Sequence, residues 1–179
     1  MTIRPPDPPL RHGELTLRRW HTTDVTELVR ACGDRDIIRW TPVPAPYTEA
    51  DAVAFIARSD DLWASGRGVA FAIVGTATGE LLGAVQLIRR NARASVGFWL
   101  APDARGSGVA TRAVRLVAEW AFRELGVRRL ELATDPRNRP SHRVAERVGF
   151  TREGIRRRAL KFRGERRDSL VFALTRLGA

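Results

Sequence analysis

The chain has 179 residues, 44% of them hydrophobic, enough for one globular core and too many for a disordered or fibrous chain. Its formal charge of +11 raises nucleic acid, anionic membranes and anionic small molecules as partners. No apolar run approaches the roughly 20 residues that cross a bilayer, so a membrane span is not expected.

The basic residues are skewed. Lys161 is the only lysine among 31 of them. Such replacement of lysine by arginine reads as a compositional bias, with solvated arginines and no dedicated nucleic-acid partner. The single cysteine, Cys32, excludes an intramolecular disulfide and suits a reducing cytoplasm. The segment Met1–Pro9 has no apolar core for a signal peptide. Together these lead to a cytoplasmic expectation.

Residues 1–12 are proline-rich and are expected to form a flexible tail, with one domain over 13–179. Leu15 to Trp20 alternates as a first strand. Thr22 or Thr23 is placed to cap a helix over Asp24 to Cys32. Ile37, Ile38 and Trp40 form a short apolar cluster ahead of a breaker-rich loop, Thr41 to Tyr47. Thr48, followed by Glu49 and Asp51, begins a helix reaching about Ala64, with Ala52, Phe55, Ile56 and Leu62 as its apolar stripe.

From Val69 the period changes. Val69–Val74, Leu81–Ile88 and Ala94–Leu100 read as three strands with hairpin-length connections, an antiparallel meander. The third strand is apolar and aromatic and is stopped by Pro102. Val109, Ala113, Leu116, Val117, Trp120 and Ala121 then recur at helical spacing, up to Gly126. Leu130–Thr134 is the next strand, and a strand–helix–strand crossover implies parallel pairing. Pro140 opens a short helix that Gly149 closes, and two final strands, about 151–162 and 166–176, flank Arg163-Gly164.

The turn Arg105-Gly106-Ser107-Gly108 lies where strand gives way to helix. A helix start leaves backbone N–H groups without partners and carries partial positive charge. Two glycines allow close approach of a ligand. The junction suits a phosphate or diphosphate, with Arg105 and Arg112 as further donors. An ordinary strand-to-helix turn with solvated arginines reads equally well. A GxxxxGK[ST] loop is absent. A dinucleotide fingerprint would set Thr111 as its third small residue and Glu131 as its acid, but it also expects a preceding alternation of strands and helices.

Arg105, Gly108 and Ala110 match the Arg/Gln-x-x-Gly-x-Gly/Ala loop of the GNAT acetyltransferases. Asp135-Pro136-Arg137-Asn138-Arg139-Pro140-Ser141 and Glu146-Arg147-Val148-Gly149-Phe150 extend the match. From about Leu15 to about Arg176 the chain resembles the Rim-type subgroup, which includes ribosomal-protein N-terminal acetyltransferases. The resemblance implies a mixed α/β fold: a mostly antiparallel sheet of about seven strands with a splayed parallel pair, and helices on both faces.

It also implies an acetyl-CoA-dependent N-acetyltransferase with no metal. Phe98, Trp99, Leu100 and Ala101 would pair with the pantetheine arm. Arg105, Gly106, Ser107, Gly108, Val109, Ala110 and Thr111 would hold the diphosphate. Asn138 and Ser141 would approach the pantetheine and sulfur. Ser141 is then the candidate acid, and the Leu100 N–H a candidate oxyanion donor. Trp40 and Tyr47 would shape the acceptor pocket.

The base is unassigned. Ser95 stands where relatives often carry a glutamate; Glu80, Glu153, Asp168 and His142 are the other groups within reach of the argument. Cys32 has no His or Asp motif beside it, and the expected chemistry is direct attack in a ternary complex. The expected acceptor is a low-pKa amine on a protein N-terminus or small molecule. Two further readings stand beside this one: a non-catalytic acyl-CoA sensor, and a basic RNA- or ribosome-binding module built on arginines of the last strands. A homodimer is plausible from the resemblance.

Overall fold

The computed structural model describes residues 2–176. One eight-stranded sheet runs through it in the order β1-β2-β3-β4-β5-β6-β8-β7. The strands are β1 (Leu10–His12), β2 (Leu15–Arg18), β3 (Gly68–Gly75), β4 (Leu81–Arg90), β5 (Arg93–Leu100), β6 (Arg129–Thr134), β7 (Thr151–Phe162) and β8 (Glu165–Thr175). The helices are α1 (Val25–Cys32), α2 (Arg35–Trp40), α3 (Glu49–Ser65), α4 (Val109–Glu124) and α5 (Arg139–Val148). All neighbours pair antiparallel except β5 and β6.

The strand count exceeds the expected seven because the proline-rich segment is not a free tail. Leu10 pairs with Leu17, and Ile3 is buried, its N–H donating to the Trp63 carbonyl at 3.0 Å. Burying one apolar side chain contributes about 2 kcal/mol, and a strand edge supplies the backbone partners. Met1 lies outside the described residues.

Alternation along β3 feeds two cores. Val69, Phe71 and Ile73 join the core containing α4, where Trp63, Phe71 and Trp120 pack with centroids 5.0 to 6.1 Å apart. Ala70, Ala72 and Val74 face the second core, with Trp20, Leu28, Cys32, Ile37 and Ile56. Period-2 side-chain alternation with both faces covered explains why the strand is apolar throughout.

Local signals decide the helix ends. Thr48 caps α3 with a reciprocal Thr48–Asp51 box, as its sequence leads one to expect. Before α1, by contrast, Thr22 and Thr23 do not cap. A single 3₁₀ turn occupies Thr22–Asp24, and the Asp24 carboxylate accepts from His21 N at 2.8 Å and from Arg18. The Ile37–Trp40 cluster is a helix, α2, because Asp34 accepts from the N–H groups of Asp36 and Ile37. No helix among the described residues is long and apolar enough to cross a membrane.

Candidate active site

β5 and β6 pair only at their beginnings, through Arg93–Arg129, Ala94–Leu130 and Ser95–Glu131. Beyond Ser95 the strands part. Val96, Gly97, Phe98, Trp99 and Leu100 line one wall of the gap, and Leu132, Ala133 and Thr134 line the other. The cleft holds about 920 Å³. Its splayed strand edges present peptide groups able to pair with an extended arm.

At one end of the cleft stands the glycine loop. Gly106 and Gly108 take φ of 81° and 78°, the left-handed region, where a Cβ would cost about 1–2 kcal/mol per residue. Gly108 is the N-cap of α4. No side chain caps this helix, and no acidic residue occupies its first turn. The orphan N–H groups and the dipole therefore meet no internal anion. A Cβ added at Gly106 would find nothing within 4 Å, so the loop has open space in front of it. This junction fits the diphosphate of acetyl-CoA.

Of the residues expected around acetyl-CoA, Phe98, Trp99, Leu100, Arg105, Gly106, Gly108, Val109, Ala110, Thr111, Asn138 and Ser141 all line the cleft. Ala101 and Ser107 are not among its lining residues. Ala101 N donates to Leu82 O at 2.9 Å, and the Ser107 hydroxyl donates to Ala104 O at 3.1 Å. Arg105 is committed elsewhere than expected. Its guanidinium donates to Asp34, to Asp36 at 3.3 Å and to the Leu100 carbonyl at 3.1 Å. Burial acts to raise the Asp34 carboxyl, but Arg105 and the N–H groups of Ile37 and Asp36 outweigh it and hold the group below its ordinary value. Arg105 therefore lines the cleft with its charge already met by carboxylates. Arg112 donates to Ser107 O at 3.0 Å and braces the loop.

On the opposite wall, Asn138 caps α5 and its Oδ1 accepts from Ser141 N at 3.3 Å. This places Ser141 in the first turn, facing the gap. Just before it, Asp135 is bracketed by Arg137, which donates through its backbone N and two guanidinium nitrogens. Those bonds hold the Asp135 carboxyl down to about 2. His142 Nε2 is 3.2 Å from Asp135 O, its ring packs on Phe172, and it does not line the cleft.

The other base candidates are also occupied or remote. Glu153 is bound by Arg129, and Asp168 accepts from Arg158 N. Glu131, opposite Ser95, is bridged by Arg129 and Arg156; despite its burial these pairs keep its carboxyl below the ordinary value. None of them, nor Glu80, lines the cleft. Cys32 is buried in the second core, and burial pushes its thiol up to about 12. It is no nucleophile in this environment.

At the other end, Trp40, Pro42, Pro44 and Tyr47 line the cleft, joined by Leu160 of β7. Burial, with Cys32 and Asp51 nearby, raises the Tyr47 phenol above its ordinary value and keeps it neutral. Sequence reasoning missed Phe55, Arg58, Ser59 and Leu62 of α3 and Gln86 of β4, which also line this end. Phe55 and Leu62 fall on a stripe whose spacing reads as core, and no signal separates them from it.

The sequence profile of the acetyltransferase (GNAT) domain matches residues 14–151, most of the chain. The chain is 28% identical over 164 residues to the uncharacterized N-acetyltransferase p20 of Bacillus licheniformis, covering 89% of this chain and 92% of that protein. Among solved structures, a Vibrio cholerae protein assigned as a ribosomal-protein-serine acetyltransferase superposes with a TM-score of 0.86 at 25% identity, covering 97% of this chain and 100% of that one. Mycobacterium smegmatis RimJ, in complex with CoA-disulfide, gives a TM-score of 0.81 at 25% identity, covering 90% of this chain and 81% of that one. The chain belongs to the GNAT family of acetyl-CoA-dependent N-acetyltransferases.

Proposed function

We propose that this enzyme acetylates an amine of low pKa, an N-terminal α-amine of a protein or peptide, by direct attack in a ternary complex. The observation that carries this reading is the content of the cleft walls. Their carboxylates are Asp36, paired with Arg105, and Asp61, on the exposed side of α3. Among the described residues, no buried carboxylate lines the cleft as a base. Deprotonating an α-amine at pH 7 costs roughly 1.4 kcal/mol, against about 4.6 kcal/mol for a lysine side chain. A cleft so built favours the first, through water. The likeness to a protein assigned as acting on ribosomal-protein serine supports the same choice.

Bound acetyl-CoA supplies an activated thioester carbonyl. Backbone groups of Phe98, Trp99 and Leu100 orient the arm, and the N–H groups from Gly106 to Thr111 hold its diphosphate. In this reading the Leu100 N–H donates to the charge that develops on the carbonyl oxygen. A C–N bond forms as the C–S bond breaks. The amine gives up one proton to water, and Ser141 Oγ hands one to the departing sulfur, recovering it from solvent.

A thiol-release assay against peptide N-termini, polyamines, aminoglycosides and free amino acids tests this. The expected result is turnover on peptide N-termini well above the rest. Efficient acetylation of internal lysines with N-termini untouched contradicts it.

A further inference from the structure

Beside the acceptor end of the cleft, on the other side of Trp40, lies a second and shallower pocket of about 410 Å³. Four guanidiniums line it: Arg39 from α2, Arg137 from the loop after β6, and Arg163 and Arg167 from the β7–β8 hairpin. Two of these charges are met, Arg137 by Asp135 and Arg167 by Glu165. Arg39 and Arg163 have no carboxylate partner among the described residues. The pocket therefore carries two uncompensated positive charges.

The arginines are held rather than waving. Arg39 stacks over Trp40 at 4.6 Å, and Arg167 and Arg163 stack over Phe162 at 4.6 and 5.5 Å. Arg163 also donates to the Ile38 and Val43 carbonyls at 3.0 Å each, fastening the hairpin to the Trp40–Tyr47 wall. Stacking uses the face of a guanidinium and leaves in-plane N–H donors for an oxyanion. Preordered side chains lose less entropy when a ligand arrives.

We propose that this pocket is a specificity subsite for a carboxylate of the acceptor, so that the preferred acceptor is a peptide with an acidic residue a short way after its N-terminal amine. The inference rests on the reading of the main cleft as the seat of that amine. Trp40 lines both cavities, so a chain entering the cleft past it crosses the arginine pocket. A carboxylate there meets charge-assisted, bidentate-capable donors.

The test uses hexapeptides with a free N-terminal serine, otherwise neutral, with one aspartate walked from the second position to the sixth. Each is measured by thiol release and, in the presence of CoA, by calorimetric affinity. One position of aspartate is expected to raise kcat/KM and affinity about tenfold over its asparagine twin, a gain carried by KM. Arg39→Gln and Arg167→Gln should bring that ratio to within about twofold of unity. Arg157→Gln, the same charge change on β7 outside the pocket, should leave the ratio intact, which separates a local site from the general field of the protein. An affinity flat across the series, or an aspartate gain that survives both pocket variants, overturns the subsite. Tight binding of one acidic peptide without thiol release upholds the subsite and overturns the peptide N-terminus as acceptor. Turnover without acid preference does the reverse.

Discussion

Arg105, the first residue of the glycine loop, and Asp34, the cap of α2, form an ion pair across 71 positions of sequence. The contact joins the glycine loop to the helix that carries Trp40 into the cleft wall. Asp34→Ala removes both a cap and the partner of a half-buried guanidinium, an expected loss of about 1–2 kcal/mol. It should raise the acceptor KM severalfold while CoA affinity changes less. Thermal unfolding and the two KM values check this; a Tm fall with both KM values unmoved would confine the pair to stability.

Gly108→Ala puts a Cβ into the left-handed region at the start of α4. The side-chain atom it meets, Arg112 Nη1 at 3.3 Å, is the end of a flexible chain, so the strain lies in the backbone. Relaxing it tilts the N–H groups of the first turn. CoA affinity by calorimetry should fall about tenfold, a loss of roughly 1–2 kcal/mol. An unchanged affinity would move the diphosphate elsewhere.

Ser141→Ala should lower kcat by at least about tenfold, within the range of general acid catalysis, with acetyl-CoA affinity held within twofold. The helix start stays capped, because Asn138 Oδ1 bonds the backbone N of residue 141 and not its hydroxyl. Steady-state kinetics with a peptide acceptor decides. Full turnover removes Ser141 from proton transfer.

Cys32→Ala should leave turnover within about twofold and lower stability by about 1 kcal/mol through lost packing. The buried thiol, pushed up to about 12, should also resist alkylation at pH 8 in the folded protein. Loss of activity, or an acetylated Cys32 found by mass spectrometry, would argue for a covalent route.

Asp135 supplies a pH signature. Its folded carboxyl, held at about 2 by Arg137, sits below the ordinary value of 3.8. A depressed carboxylate contributes stability that is present above the ordinary value and lost as pH falls through the folded one. Asp135→Asn should therefore unfold more easily than the parent near pH 6, with the gap closing between about pH 4 and 2. Urea unfolding at several pH values measures it; a gap constant with pH would mean that the lost contribution is not ionic.

Much of this fold was legible because local and global signals agree. The Thr48 box and the apolar meander each have one physical reading, and the small-residue turn before α4 marks a strand-to-helix junction under every reading of it. α2 was not legible, since six residues give too little periodicity and its Asp34 cap also serves Arg105. β1 was hidden by prolines that read as tail. In the site, the glycine loop and the Asn138–Ser141 turn carry their own chemistry. The neutralisation of Arg105 and the approach of Phe55 and Ser59 to the cleft depend on contacts between residues far apart in sequence, which no local pattern encodes.

On this reading the split between β5 and β6 receives acetyl-CoA with its diphosphate on the glycine loop. A crystal structure with acetyl-CoA tests it most directly. The expected density has the diphosphate on the N–H groups between Gly106 and Thr111, and the arm alongside Val96–Leu100 with its sulfur near Ser141. Acetyl-CoA bound elsewhere, or β5 and β6 zipped together past Ser95, would contradict it.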